Sequence, residues 1–187
     1  FKDFDVDAIR TEGGYVYGTL AFTNNVFEQT VAGNGAQGIF LYSIAGASGS
    51  KTEVLIDSNE FINLGKDTGT VFTGAVCAYR FQENPTTITM VNNIFDHCYD
   101  YIYLRNNGGN SSTWFCTVEN NQFLGLPVNQ YFGTYRGADT STSNPHLAVF
   151  TKNYYEDNEA KVITDLAAYA HLFKHLASYG TALESKP

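Results

Sequence analysis

Apolar and polar positions alternate with a period of two in short stretches along residues 1 to about 158, and similar stretches return roughly every 30 residues. Five times an asparagine is followed two residues later by an aromatic: Asn25/Phe27, Asn59/Phe61, Asn93/Phe95, Asn121/Phe123 and Asn153/Tyr155, at intervals of 34, 34, 28 and 32 residues. Three residues before each Asn stand Phe22, Ile56, Met90, Val118 and Phe150, and five before it Leu20, Val54, Ile88, Cys116 and Ala148. All ten are apolar. Alternation with period two predicts a strand. The same strand returning at a near-constant spacing predicts one supersecondary unit stacked on copies of itself.

Each repeat carries a second apolar segment after the aromatic, at 38–44, 75–81, 101–106 and 129–136, and a polar connector follows each at 45–51, 82–85, 108–112 and 137–144. Two longer strands and a short one bearing the aromatic make a three-sided coil. No helical template fits before about residue 158, so leucine-rich and βαβ architectures fail. The expected fold is all-β, a right-handed parallel β-helix solenoid of about five to six coils over 1–158. A buried Asn at a tight turn hydrogen-bonds the equivalent Asn of the next coil, which accounts for the Asn row without any function. The tail, 159–187, departs from the repeat. Val162, Leu166, Tyr169, Ala170, Phe173, Leu176 and Ala177 recur at threes and fours, predicting a capping helix from about 165 to 179 closed by Gly180. Nothing comparable covers the side of Phe1, where the chain opens in mid-coil. The expectation there is a stacking partner or further coils, the 187 residues being the C-terminal part of a longer solenoid.

Composition narrows the partners. The chain carries 19 acidic and 11 basic residues, a net charge of −8, which argues against nucleic acid and anionic membrane. No apolar run reaches the length of a membrane span. Cys77, Cys98 and Cys116 show no metal-like spacing, and Cys77 and Cys116 are expected on inward strand positions as small core residues. His171 and His175 stand four apart but lack the glutamate of a metalloprotease motif, and a solvated helix face is their expected role. Neither a metal nor another cofactor is expected.

Function is sought on the outward face. Aligning the second segments by the apolar pairs Phe40/Tyr42, Cys77/Tyr79 and Ile102/Leu104, with Ile9 and Tyr135 for the first and fifth coils, leaves Arg10, Ser43, Arg80, Arg105 and Arg136 as the next outward residues. That row holds all four arginines of the chain. Like charges one coil apart repel by several kcal/mol before screening, of order 332/(ε·r) at an effective dielectric near 20. Two readings of the row follow: a salt-bridged array with local carboxylates such as Asp5, Asp7, Glu12, Glu83, Asp100 and Asp139, or a site for a ligand with repeating anionic groups, which the guanidinium fork suits. Tyr101 and Tyr103 beside Arg105, with Phe132 beside Arg136, add aromatic surface of the kind that holds sugar rings, or an interface for another chain.

The Asn-x-Phe turn followed by a loop and the strand Gly38-Ile39-Phe40-Leu41 resembles the pectate-lyase-like right-handed β-helix superfamily. Ala8-Ile9-Arg10 and the stretch 150–155 are similar to β-helix domains of cell-surface lipoproteins in bacterial polysaccharide-utilisation systems. The resemblance implies a substrate groove over the strand that follows the Asn-aromatic turn, the strand bearing Arg10, Arg80, Arg105 and Arg136. It also implies a secreted or cell-surface location. Three function classes follow: a binding module for an acidic polysaccharide using Arg80, Arg105, Arg136, Tyr103, Tyr101 and Arg10; a polysaccharide lyase, with Arg105 or Arg136 as base and Tyr103 as acid; or a structural solenoid assembling end to end. The aspartate cluster that holds calcium in many related lyases has no match, and Asp7 and Asp100, the nearest to a hydrolase acid pair, fall two or more coils apart. The balance favours binding without catalysis.

Overall fold

The structure is a computed structural model that describes residues 1–15, 18–31, 36–45, 52–65, 74–79, 86–98, 100–105, 114–125, 133–136, 147–156, 161–163 and 173–174. β1 (Asp7–Tyr15), β2 (Gly18–Thr23) and β3 (Val26–Glu28) form the first coil. The triplet returns as β4 (Gln37–Ala45), β5 (Thr52–Asp57) and β6 (Glu60–Ile62), then as β7 (Gly74–Tyr79), β8 (Thr86–Val91) and β9 (Ile94–Asp96). It returns again as β10 (Asp100–Arg105), β11 (Trp114–Glu119) and β12 (Gln122–Leu124), and as β13 (Gly133–Arg136), β14 (Leu147–Thr151) and β15 (Asn153–Tyr155). β16 (Lys161–Ile163) and β17 (Phe173–Lys174) follow.

Each strand lies parallel to the same strand of the next coil. The first sheet runs β1-β4-β7-β10-β13-β17, the second β2-β5-β8-β11-β14, and the third β3-β6-β9-β12-β15-β16. The chain therefore visits three parallel sheets in turn, once per coil, and no α-helix occurs among the described residues. The apolar rows expected on either side of the alternation are seen in the second sheet. Leu20, Val54, Ile88, Cys116 and Ala148 pair in one row, and Phe22, Ile56, Met90, Val118 and Phe150 in the other. Val54, Ile56, Ile88, Met90, Cys116, Val118 and Phe150 are each at most 2 % exposed. Burial of each such side chain stabilises the stack by about 1.5–3 kcal/mol.

The corner between the second and third sheets is the most regular part of the molecule. Asn25, Asn59, Asn93 and Asn121 each donate the backbone N–H and the side-chain Nδ2 to Oδ1 of the next Asn, at 2.9–3.0 Å and 2.9–3.1 Å, and the row ends at Asn153. Nδ2 of Asn59, Asn93, Asn121 and Asn153 also reaches back to the carbonyls of Phe22, Ile56, Met90 and Val118, at 2.8–3.0 Å. The expected Asn row is present, with its polar groups matched in a site that is 0–1 % exposed from Asn59 onward. The residue before each Asn takes a left-handed backbone: Asn24, Ser58, Asn92, Asn120 and Lys152 have φ between 55° and 58°. Asn tolerates that region and fills three of the five positions; Ser58 and Lys152 bear a strain of about 1 kcal/mol or more.

Beyond the corner the aromatics stack. Phe1, Phe27, Phe61, Phe95 and Phe123 lie with successive ring centroids 4.8–5.1 Å apart and planes within 13° of one another. Backbone pairing places Tyr155 next after Phe123. Gly38 opens its strand at the foot of this row, where a Cβ would come within 2.8 Å of the Phe61 ring. That contact explains the glycine in the Gly38-Ile39 pair. Tyr101 also faces the row, edge-on to Phe95, with its hydroxyl donating to Leu124 O at 2.6 Å.

The expected C-terminal helix is not supported. Phe173–Lys174, inside the 165–179 segment, pairs in parallel with β13, and Lys161–Ile163 just before it pairs antiparallel with β15. The rest of 165–179 lies outside the described residues. The physical reason is local. β13 and β15 belong to the last three-strand coil described, and a sheet edge of that kind recruits extended chain even where the apolar spacing fits a helix. Val162 and Ile163, both β-branched, suit that role.

Two predictions follow from this core. Replacing Asn93 with Ala removes the acceptor for Asn59 and the donor to Ile56 and Asn121. It should cost at least about 2 kcal/mol in chemical denaturation, since each buried group left unmatched costs about 1–3 kcal/mol, whereas exposed Thr19→Ala should stay within about 0.5 kcal/mol. The second prediction concerns Cys98 and Cys116, which are buried. Burial pushes the Cys98 thiol up to about 12, and Cys116 is raised by burial as well. Native thiols should resist iodoacetamide at pH 8 and react once unfolded, as peptide mapping would read. Because only the unfolded chain ionises these thiols near their ordinary value, their contribution to stability is fully present below about pH 9 and is lost as the pH rises toward about 12.

Candidate ligand-binding face

The outward side of the first sheet is built from strands that are apolar on both faces. In β4, Ile39 and Leu41 are fully buried in the main core, while the intervening Phe40 belongs to a separate cluster with Tyr103 and Tyr42. Backbone pairing then fixes the rows. Ile9, Ile39, Val76 and Ile102 form one, and Thr11, Leu41, Ala78, Leu104 and Tyr135 another. Ile39, Leu41, Val76, Ala78 and Ile102 are buried in the main core, so these members of the two rows face inward.

This corrects the sequence alignment by one residue in the second and third coils. The pairs Phe40/Tyr42 and Cys77/Tyr79 are not the inward ones; Ile39/Leu41 and Val76/Ala78 are. A slip of one residue moves every side chain to the other face. Where both faces of a strand are apolar, alternation alone does not choose between the registers. Cys77 accordingly stands in register with Phe40 and Tyr103, outside the inward row expected for it.

The arginine row changes with the register. Arg105 and Arg136 are directly paired, Cα to Cα. The partner of Arg105 on the other side is Tyr79, not Arg80, and Tyr79 pairs in turn with Tyr42 and Tyr42 with Glu12. The row therefore reads Glu12, Tyr42, Tyr79, Arg105, Arg136 along the stacking direction. Arg80 lies outside the described residues. Arg10 falls two positions earlier, in the row of Phe40, Cys77, Tyr103 and Thr134.

Arg10 is neutralised within its own strand. Its guanidinium donates to Asp7 Oδ2 at 3.1 Å and to Glu12 Oε1 at 3.2 Å, and it sits 4.7 Å from the centre of the Phe40 ring. The hydrogen bond that Arg10 donates to Asp7, and after it the one to Glu12, raises the Arg10 pKa above its ordinary value. For this arginine the salt-bridged reading holds. Asp7 is itself 4 % exposed at the side chain. Its Oδ1 and the Oε1 of Gln37, the register neighbour one coil on, are buried without hydrogen-bond partners.

Two of the expected ring platforms are enclosed. Tyr101 is buried in the main core, and Tyr103 is 3 % exposed within the cluster it shares with Phe40. Tyr42 is the half-buried member of that cluster, its ring centroid 5.8 Å from that of Phe40. The alternation that placed Tyr101 outward fails at the start of the strand. Ala75, its counterpart one coil earlier, is also fully buried beside buried Val76, so two consecutive residues face the core where the chain turns into this sheet. Cys98, which the sequence left unplaced, lies in the core with Sγ donating to Phe61 O at 3.2 Å. Phe132, His146, His171, His175 and Asp139 lie outside the described residues.

Among the described residues no group of three or more His, Cys, Asp or Glu could hold a metal ion, and no helix is long and apolar enough to cross a membrane. No protein-family model, curated protein or solved structure matches this chain.

Proposed function

We propose that this chain is a right-handed parallel β-helix module, secreted or at a bacterial cell surface, that binds an acidic polysaccharide lying along the stacking direction of the coils. The observation that carries the reading is the row Tyr42, Tyr79, Arg105, Arg136, in register from one coil to the next. Strands in neighbouring coils lie about 4.8 Å apart, so a linear ligand along the axis meets one row position per coil. Two aromatic positions lead into two arginines. Aromatic rings offer apolar faces to sugar rings, and guanidinium forks take carboxylates in paired hydrogen bonds. Stacked guanidinium groups repel by a few kcal/mol at that spacing before screening, and an anionic ligand relieves the repulsion. Arg10, whose charge Asp7 and Glu12 already meet, belongs to the stabilising margin and takes no part in binding. The similarity of the Asn-x-Phe turn and the Gly38-Ile39 strand to the pectate-lyase-like superfamily supports the same face, and binding requires no acid–base pair.

Isothermal titration with polygalacturonate, and with a neutral glucan as control, tests the proposal. Arg105→Ala and Arg136→Ala should each weaken uronate binding by about tenfold or more, the equivalent of one charge-assisted bond of about 1.5–3 kcal/mol. Arg105→Lys should recover only part of it, since the fork is lost. Parent affinity should fall with added salt, and Arg10→Ala should leave it unchanged. A double Arg105/Arg136 alanine variant that binds polygalacturonate as the parent does would contradict the proposal. Ultraviolet absorbance from an unsaturated product would favour the lyase reading instead.

A further inference from the structure

Along the stacking direction the row Glu12, Tyr42, Tyr79, Arg105, Arg136 changes its chemistry in one sense, from acidic through aromatic to basic. In the first coil Glu12 is 64 % exposed at its side chain, and Asp7 and Glu12 set two carboxylates against the one guanidinium of Arg10, a net charge of −1. The next two coils place tyrosines in the row, on strands β4 and β7 that contain no charged residue. Tyr42 is half-buried, its ring 5.8 Å from that of Phe40 with 29° between the planes, and the Arg10 guanidinium lies over the Phe40 ring. The fourth and fifth coils place Arg105 and Arg136 in direct register.

We propose, resting on the reading of this sheet as a polysaccharide face, that its ligand is a heteroglycan in which a neutral block adjoins an acidic one. Neutral sugar units take the Tyr42 and Tyr79 positions, and two successive acidic units take the Arg105 and Arg136 positions. Strands of neighbouring coils lie about 4.8 Å apart, so each position is separately addressed along the axis. A carboxylate over an aromatic face meets the negative side of the ring quadrupole, whereas an uncharged sugar ring meets an apolar surface. At the Tyr42 position a carboxylate would also meet Glu12 one coil away, and like charges repel. A uniformly acidic chain therefore uses only the basic half of the row. A chain whose charge begins where the arginines begin uses all of it.

Isothermal titration of the intact protein with defined oligogalacturonides tests this, methyl esterification serving to neutralise chosen units. Digalacturonate and tetragalacturonate should bind with similar affinity, because the two added carboxylates gain no partner. A tetramer with two adjacent esterified units at one end should bind at least about tenfold more tightly than tetragalacturonate, through the two added ring contacts. Only one of the two isomers, esterified at the reducing or at the non-reducing end, should show the gain. The fully esterified tetramer should bind more weakly than that isomer. In NMR spectra the Tyr42 ring resonances should shift with the favoured isomer and not with digalacturonate. Tetragalacturonate binding as tightly as both mixed tetramers, equal gain by the two isomers, or a Tyr42 shift with digalacturonate would overturn the heteroglycan assignment and leave the uronate reading standing. No binding of any uronate at millimolar concentration would overturn both.

Discussion

One carboxamide oxygen per coil, accepting two hydrogen bonds from the asparagine of the coil before it, is the interaction on which the rest of this structure depends. Each bond between neutral groups is worth only about 1 kcal/mol net, but in a site closed to water the cost of leaving any of them unmade is larger than the gain from making it. The ladder therefore acts chiefly as a constraint on register. It holds Asn59, Asn93, Asn121 and Asn153 one above another although the chain between them runs 34, 28 and 32 residues. With that corner fixed, the second sheet must arrive with Val54, Ile88 and Cys116 inward, and the third must leave with Phe61, Phe95 and Phe123 stacked. The connectors are then free to differ in length, because the closing entropy of a loop grows slowly with its size.

The first sheet lies farthest from the ladder along the chain, and there the sequence varies most. Inward, it still answers to the aromatic row. Gly38 and Tyr101 sit at the same turn one coil on either side of Ala75, one yielding space to Phe61 and the other packing against Phe95 and Phe123. Outward, nothing in the stack dictates the residue. Arg10 appears there with its charge met by Asp7 and Glu12, while Arg105 and Arg136 are backbone register partners in successive coils. A cation balanced by its own strand serves stability. In the proposed reading it is the register pairing of Arg105 with Arg136, rather than a count of arginines, that marks this sheet as the ligand face.

The sequence made legible whatever the repeat enforces. Asn25 to Asn153, the two apolar rows of the second sheet and the aromatic row could be read because each position recurs with one class of residue, asparagine, apolar or aromatic, at a near-constant spacing. The first sheet resisted the same reading for a physical reason. Gly38-Ile39-Phe40-Leu41-Tyr42 is apolar on both faces, so either register satisfies the alternation, and only the packing of Ile39 and Leu41 into the core decides. That slip puts Tyr79 in register with Arg105. Arg10 stands apart from the row of Arg105 and Arg136 because Ile9 pairs in register with Ile39 and, through Val76, with Ile102, which leaves Arg10 two positions before Glu12. Tyr101 was misplaced because the chain bends where it enters the sheet and two neighbours face inward there, which no period-two pattern contains. The tail misled in a different way. Its apolar spacing fits a helix, yet Phe173–Lys174 pairs with β13, an outcome set by the open edge it meets rather than by its own residues.

Hydrogen exchange followed by NMR on the intact protein tests the ladder most directly. The backbone amides of Asn59, Asn93 and Asn121, each bonded to the next Asn Oδ1 at 2.9 Å, should open only with global unfolding and exchange as slowly as the core strands beside them. Exchange at these three amides as fast as in an unstructured peptide would contradict the account, because the register of all three sheets would then have to be held by something other than the asparagine row.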